Sequence, residues 1–150
     1  MEAEARYRVT DHLTLGASGS YDDAHLTTRL TGIAGIKAGT WLIGAPRYNA
    51  LLSATYDFTV GDRPFFACAD ARFLGQSHGS LQRTSPDYFR PAYFLVDASV
   101  GGEFRAYEWS VFIRNLTNQS QIIQRPNVQS VFEATRPLPL TVGVNVSRAF

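Results

Sequence analysis

Tyr48-Asn49-Ala50-Leu51-Leu52-Ser53-Ala54-Thr55-Tyr56-Asp57-Phe58-Thr59-Val60 places Tyr48, Ala50, Leu52, Ala54, Tyr56, Phe58 and Val60 on one set of alternate positions. Asn49, Ser53, Thr55, Asp57 and Thr59 take the other set. Successive strand side chains point to opposite faces, so this period of two predicts a strand with one apolar and one polar face. The turn residues Gly61-Asp62-Arg63-Pro64 follow, and alternation resumes with Phe65, Ala67, Ala69, Ala71 and Phe73 opposite Asp70 and Arg72. Two such runs around a tight turn predict an antiparallel hairpin.

The rhythm continues in both directions. Upstream, Ala3, Ala5, Tyr7 and Val9 alternate with Glu2, Glu4, Arg6 and Arg8. Leu13, Leu15, Ala17, Gly19 and Tyr21 then alternate with Thr14, Gly16, Ser18, Ser20 and Asp22. Downstream, Phe94, Val96, Ala98 and Val100 oppose Asp97 and Ser99, and Trp109, Val111 and Ile113 oppose Ser110 and Arg114. In the last run Leu140, Val142, Val144, Val146 and Phe150 oppose Thr141, Asn145 and Ser147. No segment shows a 3.6-residue pattern. The chain reads as all-β, with seven strands.

Composition narrows the class. A length of 150 residues suits one domain, and the 18% of charged residues lies well below the usual ~25%, against a disordered tail. The formal charge of +1 supplies no net field to recruit nucleic acid. Among 14 basic residues only Lys37 is lysine, whereas a freely soluble surface carries many. A single cysteine, Cys68, excludes an internal disulfide and a Cys-clustered metal site. No apolar run is long enough for a membrane-spanning helix. The acidic start Met1-Glu2-Ala3-Glu4 lacks an apolar h-region, so no signal peptide is expected.

The connections alternate in length. Short turns fall near Asp11, Asp62 and Arg105; long joins run from Ala24 to Arg47, Gly75 to Ala92 and Leu116 to Pro139. Loops beyond about 12–15 residues are uncommon in compact domains, and this asymmetry is that of transmembrane barrels with tight periplasmic turns and long extracellular loops. Several runs approach the ~9–11 residues that cross a bilayer at a tilt, against about 5–6 for a globular strand. Tyr7, Phe58, Phe65, Trp109 and Phe150 lie beside the short turns, and Tyr21, Tyr48, Phe73 and Phe94 beside the long loops. Leu52, Ala54, Ala69 and Val144 lie between them. Two aromatic girdles around an aliphatic band fit an apolar face turned to lipid. On that reading Arg148 is a charge on the lipid face, and Leu51, Phe66, Leu95 and Phe112 are misfits on a lumenal face. The alternative is a small soluble lipocalin-like barrel whose aliphatic face is its interior and binds an apolar ligand.

The end of the chain bears a resemblance. Trp109-Ser110-Val111-Phe112-Ile113-Arg114-Asn115-Leu116-Thr117-Asn118, a variable loop, then Arg136-Pro137-Leu138-Pro139-Leu140-Thr141-Val142-Gly143-Val144-Asn145-Val146-Ser147-Arg148-Ala149-Phe150 is similar to the end of TonB-dependent outer-membrane receptors. Ala45-Pro46, the stretch from Tyr93 to Asp97 and Tyr21-Asp22-Asp23-Ala24 look similar to earlier parts of that family. The resemblance implies an antiparallel up-and-down transmembrane β-barrel segment over residues 1–150, the C-terminal arc of a barrel of about 22 strands, without the plug domain. It implies part of an active transporter in the cell outer membrane of a Gram-negative bacterium, importing a scarce ligand such as a ferric siderophore. The implied partners are outer-membrane lipid, the remainder of the barrel and its plug, the barrel-assembly machinery, and a small-molecule ligand; the TonB complex would be met only through an N-terminal part. The terminal pattern Val142, Val144, Val146 and Phe150 would be the signal read by the assembly machinery.

The chemistry-bearing residues read as structural. Cys68 has no histidine near it in sequence, and His12, His25 and His78 lie in turns or loops without a second ligand at metal spacing. Ser77-His78 with Asp70 lacks the strained turn of a hydrolase nucleophile. Neither catalytic residues, a cofactor nor a metal is expected. Asp57, Asp70, Arg72, Asp97 and Arg114 share one face, where ion pairing between strands accounts for them. If the long loops are extracellular, recognition falls on Trp41, Arg47, Arg83, Tyr88, Phe89, Arg90 and Arg125, because arginine offers bidentate donors to oxygen-rich ligands and aromatic rings offer stacking faces. Solvated loop anchors are the alternative for the same residues.

Overall fold

The computed structural model describes residues 1–31, 35–123 and 134–148. Its strands are β1 (Glu2–Arg8), β2 (Leu13–Tyr21), β3 (Tyr48–Val60), β4 (Arg63–Leu74), β5 (Ser77–His78), β6 (Phe89–Arg90), β7 (Tyr93–Phe104), β8 (Tyr107–Arg114) and β9 (Thr141–Arg148). Seven of them form one antiparallel sheet in the order β1-β2-β3-β4-β7-β8-β9, each beside its neighbour in sequence. The short pair β5–β6 is a separate hairpin inside a long loop. β3, β4 and β7 run for 13, 12 and 12 residues, the length a tilted bilayer crossing needs.

Register carries the alternation of single strands across the whole sheet. Tyr7, Leu15, Ala54, Ala69, Ala98, Ile113 and Val142 form one continuous cross-strand row, and Tyr56, Ala67, Val100, Val111 and Val144 form the next. A slip of one residue anywhere would move a strand's apolar set to the opposite face. The opposite face carries rows such as Arg6, Gly16, Ser53, Asp70 and Asp97. The turn between β3 and β4 is narrower than its sequence suggests. Only Gly61 and Asp62 make it, with Gly61 at φ +63°, while Arg63 and Pro64 belong to β4. Arg63 thereby joins Arg148 as a charge on the apolar face.

Two of the apolar misfits on the polar face, Phe66 and Phe112, find partners in glycine. Phe66 lies against Gly101 and Phe112 against Gly143, each ring occupying the space a β-carbon on the neighbouring strand would need. Aromatic cover of this kind shields the bare backbone that a strand glycine leaves.

The aliphatic face of the sheet is left uncovered. Ser18, Ser53, Cys68 and Ser99 on the polar face are half-buried. On the aliphatic face Leu52 is 59% and Val144 64% exposed. Among the described residues the one buried hydrophobic side chain is Ile36, in the loop between β2 and β3. β1 and β9 do not pair with each other, so the sheet is an open arc. The enclosed aliphatic interior required by a lipocalin-like barrel is not formed by the described residues. Met1 and Tyr21 exchange backbone hydrogen bonds and Val9 N–H donates to Leu13 O. Odd residues of β1 therefore bond to β2, and by the alternation of an antiparallel ladder the amides of Glu2, Glu4, Arg6 and Arg8 face the open edge.

Candidate functional site

A meander of seven strands puts the three long connections at one end of the sheet and the short turns at the other. The loop from β2 to β3 folds back as a ribbon: Leu26 N–H donates to Thr40 O and Leu42 N–H to Ala24 O, with His25 bridged to Trp41. This ribbon brings Arg47 against Trp41, its guanidinium carbon 4.4 Å from the ring centroid and 5.8 Å from that of Tyr21. Asp23 Oδ1 lies 3.7 Å from Arg47 and 3.5 Å from His25 Nδ1. The Tyr21 and Tyr48 rings, 5.2 Å apart, floor the group at the end of the sheet. Arg47 Nε is buried and makes no hydrogen bond among the described residues.

The second loop is tied to the first. Gly44 N–H donates to His78 O, and Ile43 bridges to His78. The His78 ring packs 4.6 Å from that of Tyr88, while burial and, secondarily, the cationic Arg83 hold its pKa below the ordinary histidine value. Arg83 and Phe89 are exposed; Trp41, Arg47 and Tyr88 are half-buried. Arg90 differs. It is 7% exposed, and it donates from one terminal nitrogen to Asp87 Oδ2 at 2.8 Å and from the other to Ile123 O at 2.6 Å. Its guanidinium clamps the β5–β6 hairpin to the loop after β8 and is turned away from the surface. The Asp87–Arg90 spacing, opposite charges three residues apart, was the one trace of this clamp in the sequence. Arg125 lies outside the described residues.

The polar face is organised around Asp97. Its Oδ2 accepts from Arg72 at 3.2 Å and its Oδ1 from the Asn115 N–H at 2.8 Å. Asp70 stands directly opposite Asp97 in register. Asn115 is 4% exposed, and its side-chain amide donates to Gln119 O and Leu138 O while its carbonyl accepts from Gln119 N–H. Leu116 N–H donates to Val96 O, Thr117 Oγ1 to Phe94 O, and Leu140 N–H to Asn118 Oδ1. The Asn-Leu-Thr-Asn segment thus binds the ends of β7 and β8 to the lead into β9, with Asn115 and Asn118 at φ +52° and +47°. Asparagine tolerates that left-handed backbone better than other side chains. Arg114 lies over the Phe112 ring, Cys68 is hydrogen-bonded to Thr55, and Asp57 N–H donates to His12 O. Val142, Val144 and Val146 form the exposed apolar side of edge strand β9; Phe150 lies outside the described residues. Among the described residues no group of His, Cys, Asp or Glu could hold a metal ion. No helix is long and apolar enough to cross a membrane, which bears in no way on strands.

No protein-family model matches the chain, and no curated protein matches it. Solved structures do. The ferric preacinetobactin receptor BauA of Acinetobacter baumannii superposes with a TM-score of 0.73 at 18% identity over 94% of this chain. The ferric yersiniabactin uptake receptor FyuA of Yersinia pestis gives 0.72 at 18% over 97%. The siderophore receptor PiuA of Acinetobacter baumannii gives 0.64 at 18% over 97%. The chain spans only 20%, 22% and 20% of those three receptors. With its open seven-stranded meander and exposed aliphatic face, the chain has the fold of one arc of the β-barrel of a TonB-dependent receptor.

Proposed function

We propose that the chain is part of the barrel wall of an outer-membrane receptor that imports a scarce, oxygen-rich ligand, a ferric siderophore being the best match. The observation that carries this reading is the uncovered aliphatic face of a sheet whose fold is shared with three siderophore receptors. The aliphatic face meets lipid, the polar face lines the lumen against a plug, and further strands from the rest of the receptor continue the wall at β1 and β9. The chain performs no covalent chemistry. Uptake draws on the TonB complex through parts of the receptor beyond this arc.

In this role the long loops face outward. Trp41, Arg47, Arg83, Tyr88 and Phe89 offer stacking faces and cations to the ligand, joined by Arg125. Arg90 holds the loops in place. Val142, Val144, Val146 and Phe150 present the last strand to the barrel-assembly machinery through its unpaired backbone and flat apolar side. Ligand titration on whole cells, with assembly read by heat-modifiable gel mobility, tests the reading. In the complete receptor, Trp41→Ala with Arg83→Ala weakens ferric-siderophore binding per assembled molecule, and deletion of Phe150 lowers the assembled amount at unchanged affinity. Loss of assembly in both, at unchanged affinity, would make the loops structural and overturn the ligand assignment.

A further inference from the structure

The charges on the aliphatic face are confined to one end. Among the described strand residues of that face, only Arg63 and Arg148 are charged, and both sit beside the short turns. They flank a pair of aromatic rings. The Arg63 guanidinium carbon is 4.5 Å from the Phe104 ring centroid, Phe104 pairs across the hairpin with Tyr107, and Arg148 lies 5.6 Å from the Tyr107 centroid. Arg105, in the turn between them, is 5.4 Å from Phe104. The result is a row across β4, β7, β8 and β9 that reads cation, ring, ring, cation, with a third cation at its rim. Arg63 and Arg105 make no ion pair among the described residues, and all three arginines are exposed. Glu103 and Glu108 of this hairpin stand opposite each other in register on the other face, where Glu108 Oε2 accepts a hydrogen bond from Ser147 Oγ.

We propose that this row is a binding site for an anionic phospholipid at the short-turn side of the membrane. The inference rests on the lipid-facing reading of the aliphatic face. The rings would anchor at the headgroup level, where amphipathic aromatics gather. The Arg63 and Arg105 guanidiniums, held over the Phe104 ring, present edge N–H groups in their own planes, and two such groups match a phosphodiester's oxygens. Arg63 and Arg105 come from two hairpins and converge on the one Phe104 ring, so one headgroup can be gripped from two directions, with its acyl chains lying along Phe65, Trp109 and Val146 on the same face. At the opposite end, among Tyr21, Tyr48, Phe73 and Phe94, the Arg47 guanidinium also lies over a ring, that of Tyr21, but it is half-buried and 3.7 Å from Asp23 Oδ1, whereas Arg63 and Arg105 are exposed. The site therefore distinguishes the two membrane surfaces and selects charge at one of them.

The chain contains two tryptophans. In a Trp41→Phe background Trp109, one strand turn from the row, becomes the sole reporter. The purified chain is held in zwitterionic micelles and titrated with brominated phosphatidylglycerol or brominated phosphatidylcholine. Brominated phosphatidylglycerol should quench Trp109 at lower lipid fraction than the choline lipid. Each Arg→Gln replacement at 63 or 105 should reduce the preference about fivefold, and the double variant should abolish it while choline-lipid quenching persists. Arg→Lys at the same positions keeps the charge and should retain part of the preference, separating headgroup binding from loss of fold. Equal quenching by both lipids in the unmodified row would overturn the anionic-lipid site. Absence of quenching by either lipid would instead overturn the membrane reading beneath it.

Discussion

The backbone N–H of Asn115 donates to the carboxylate of Asp97 at 2.8 Å, joining the first residue past β8 to the middle of β7. Through this bond and the Asn115 side chain, the polar face of the wall is continuous with the loop that leads into β9. Arg72 completes the link from β4. A cation, a carboxylate and a buried amide thus connect three strands at the rim where the long loops begin.

Asn115→Ala removes two donated and two accepted bonds from a residue that is 4% exposed, and leaves a left-handed backbone that alanine resists. We expect a loss of about 2–4 kcal/mol, with Asn115→Gly restoring the backbone but not the bonds. Urea unfolding of the micelle-bound chain reads the difference, and amide exchange of Leu116 and Leu140 should rise in both variants.

Gly143→Ala should cost about 1–3 kcal/mol by pushing against the Phe112 ring. Combined with Phe112→Leu the cost should fall, because the leucine leaves the space that the added methyl needs. A double-mutant cycle measures that coupling, and additive effects would show that the ring does not cover the glycine.

Charge placement separates the two faces. Val144→Arg or Ala54→Arg, near the middle of the aliphatic face, should destabilise the membrane-inserted chain by about 2–4 kcal/mol. Ser53→Arg, one residue away on the polar face, should change stability little. Chemical unfolding from lipid vesicles distinguishes them, and equal costs would contradict the assignment of faces.

The tie between the two loops should weaken in acid. Burial, helped by Arg83, lowers the folded-state pKa of His78 below its unfolded value of 6.5. The unfolded loop therefore binds the proton more readily. Stability rises with pH between the folded and unfolded pKa values, and it is lost as pH falls through 6.5 toward the folded value. Exchange of the Gly44 amide, bonded to His78 O, should speed up over that window, and Arg83→Gln should narrow the window. A pH-independent exchange rate would contradict it.

The strands were legible because a period of two is written locally: each run from Tyr48 to Val60 or Thr141 to Ser147 states its own faces. The exact register was not, since a slip of two residues also keeps every apolar set on its face; the ladder places Leu15, Ala54, Ala69 and Ala98 in a row. Arg63 was misread because Gly-Asp-Arg-Pro is turn-like throughout, while the backbone turns in two residues and spends the other two on β4. The loops were legible only as composition. An arginine among aromatics looks the same whether it reaches out, as Arg83 does, or turns in to Asp87 and Ile123, as Arg90 does. Which occurs depends on segments 33 residues apart, beyond any local pattern. The Asn-Leu-Thr-Asn segment was recognised as a likeness, and its physical task, closing three strand ends, emerged only from its bonds.

The central claim is that the aliphatic face meets lipid. Spin labels placed singly along β3 at positions 50 to 58, in a Cys68→Ser background and in phospholipid vesicles, test it most directly. Accessibility to oxygen and to a water-soluble nickel chelate should alternate with a period of two. Labels at Leu52, Ala54 and Tyr56 should be open to oxygen and closed to nickel, and labels at Ser53, Thr55 and Asp57 should show the reverse. The opposite phase, or an aliphatic face closed to both reagents as in the interior of a soluble barrel, would contradict the account.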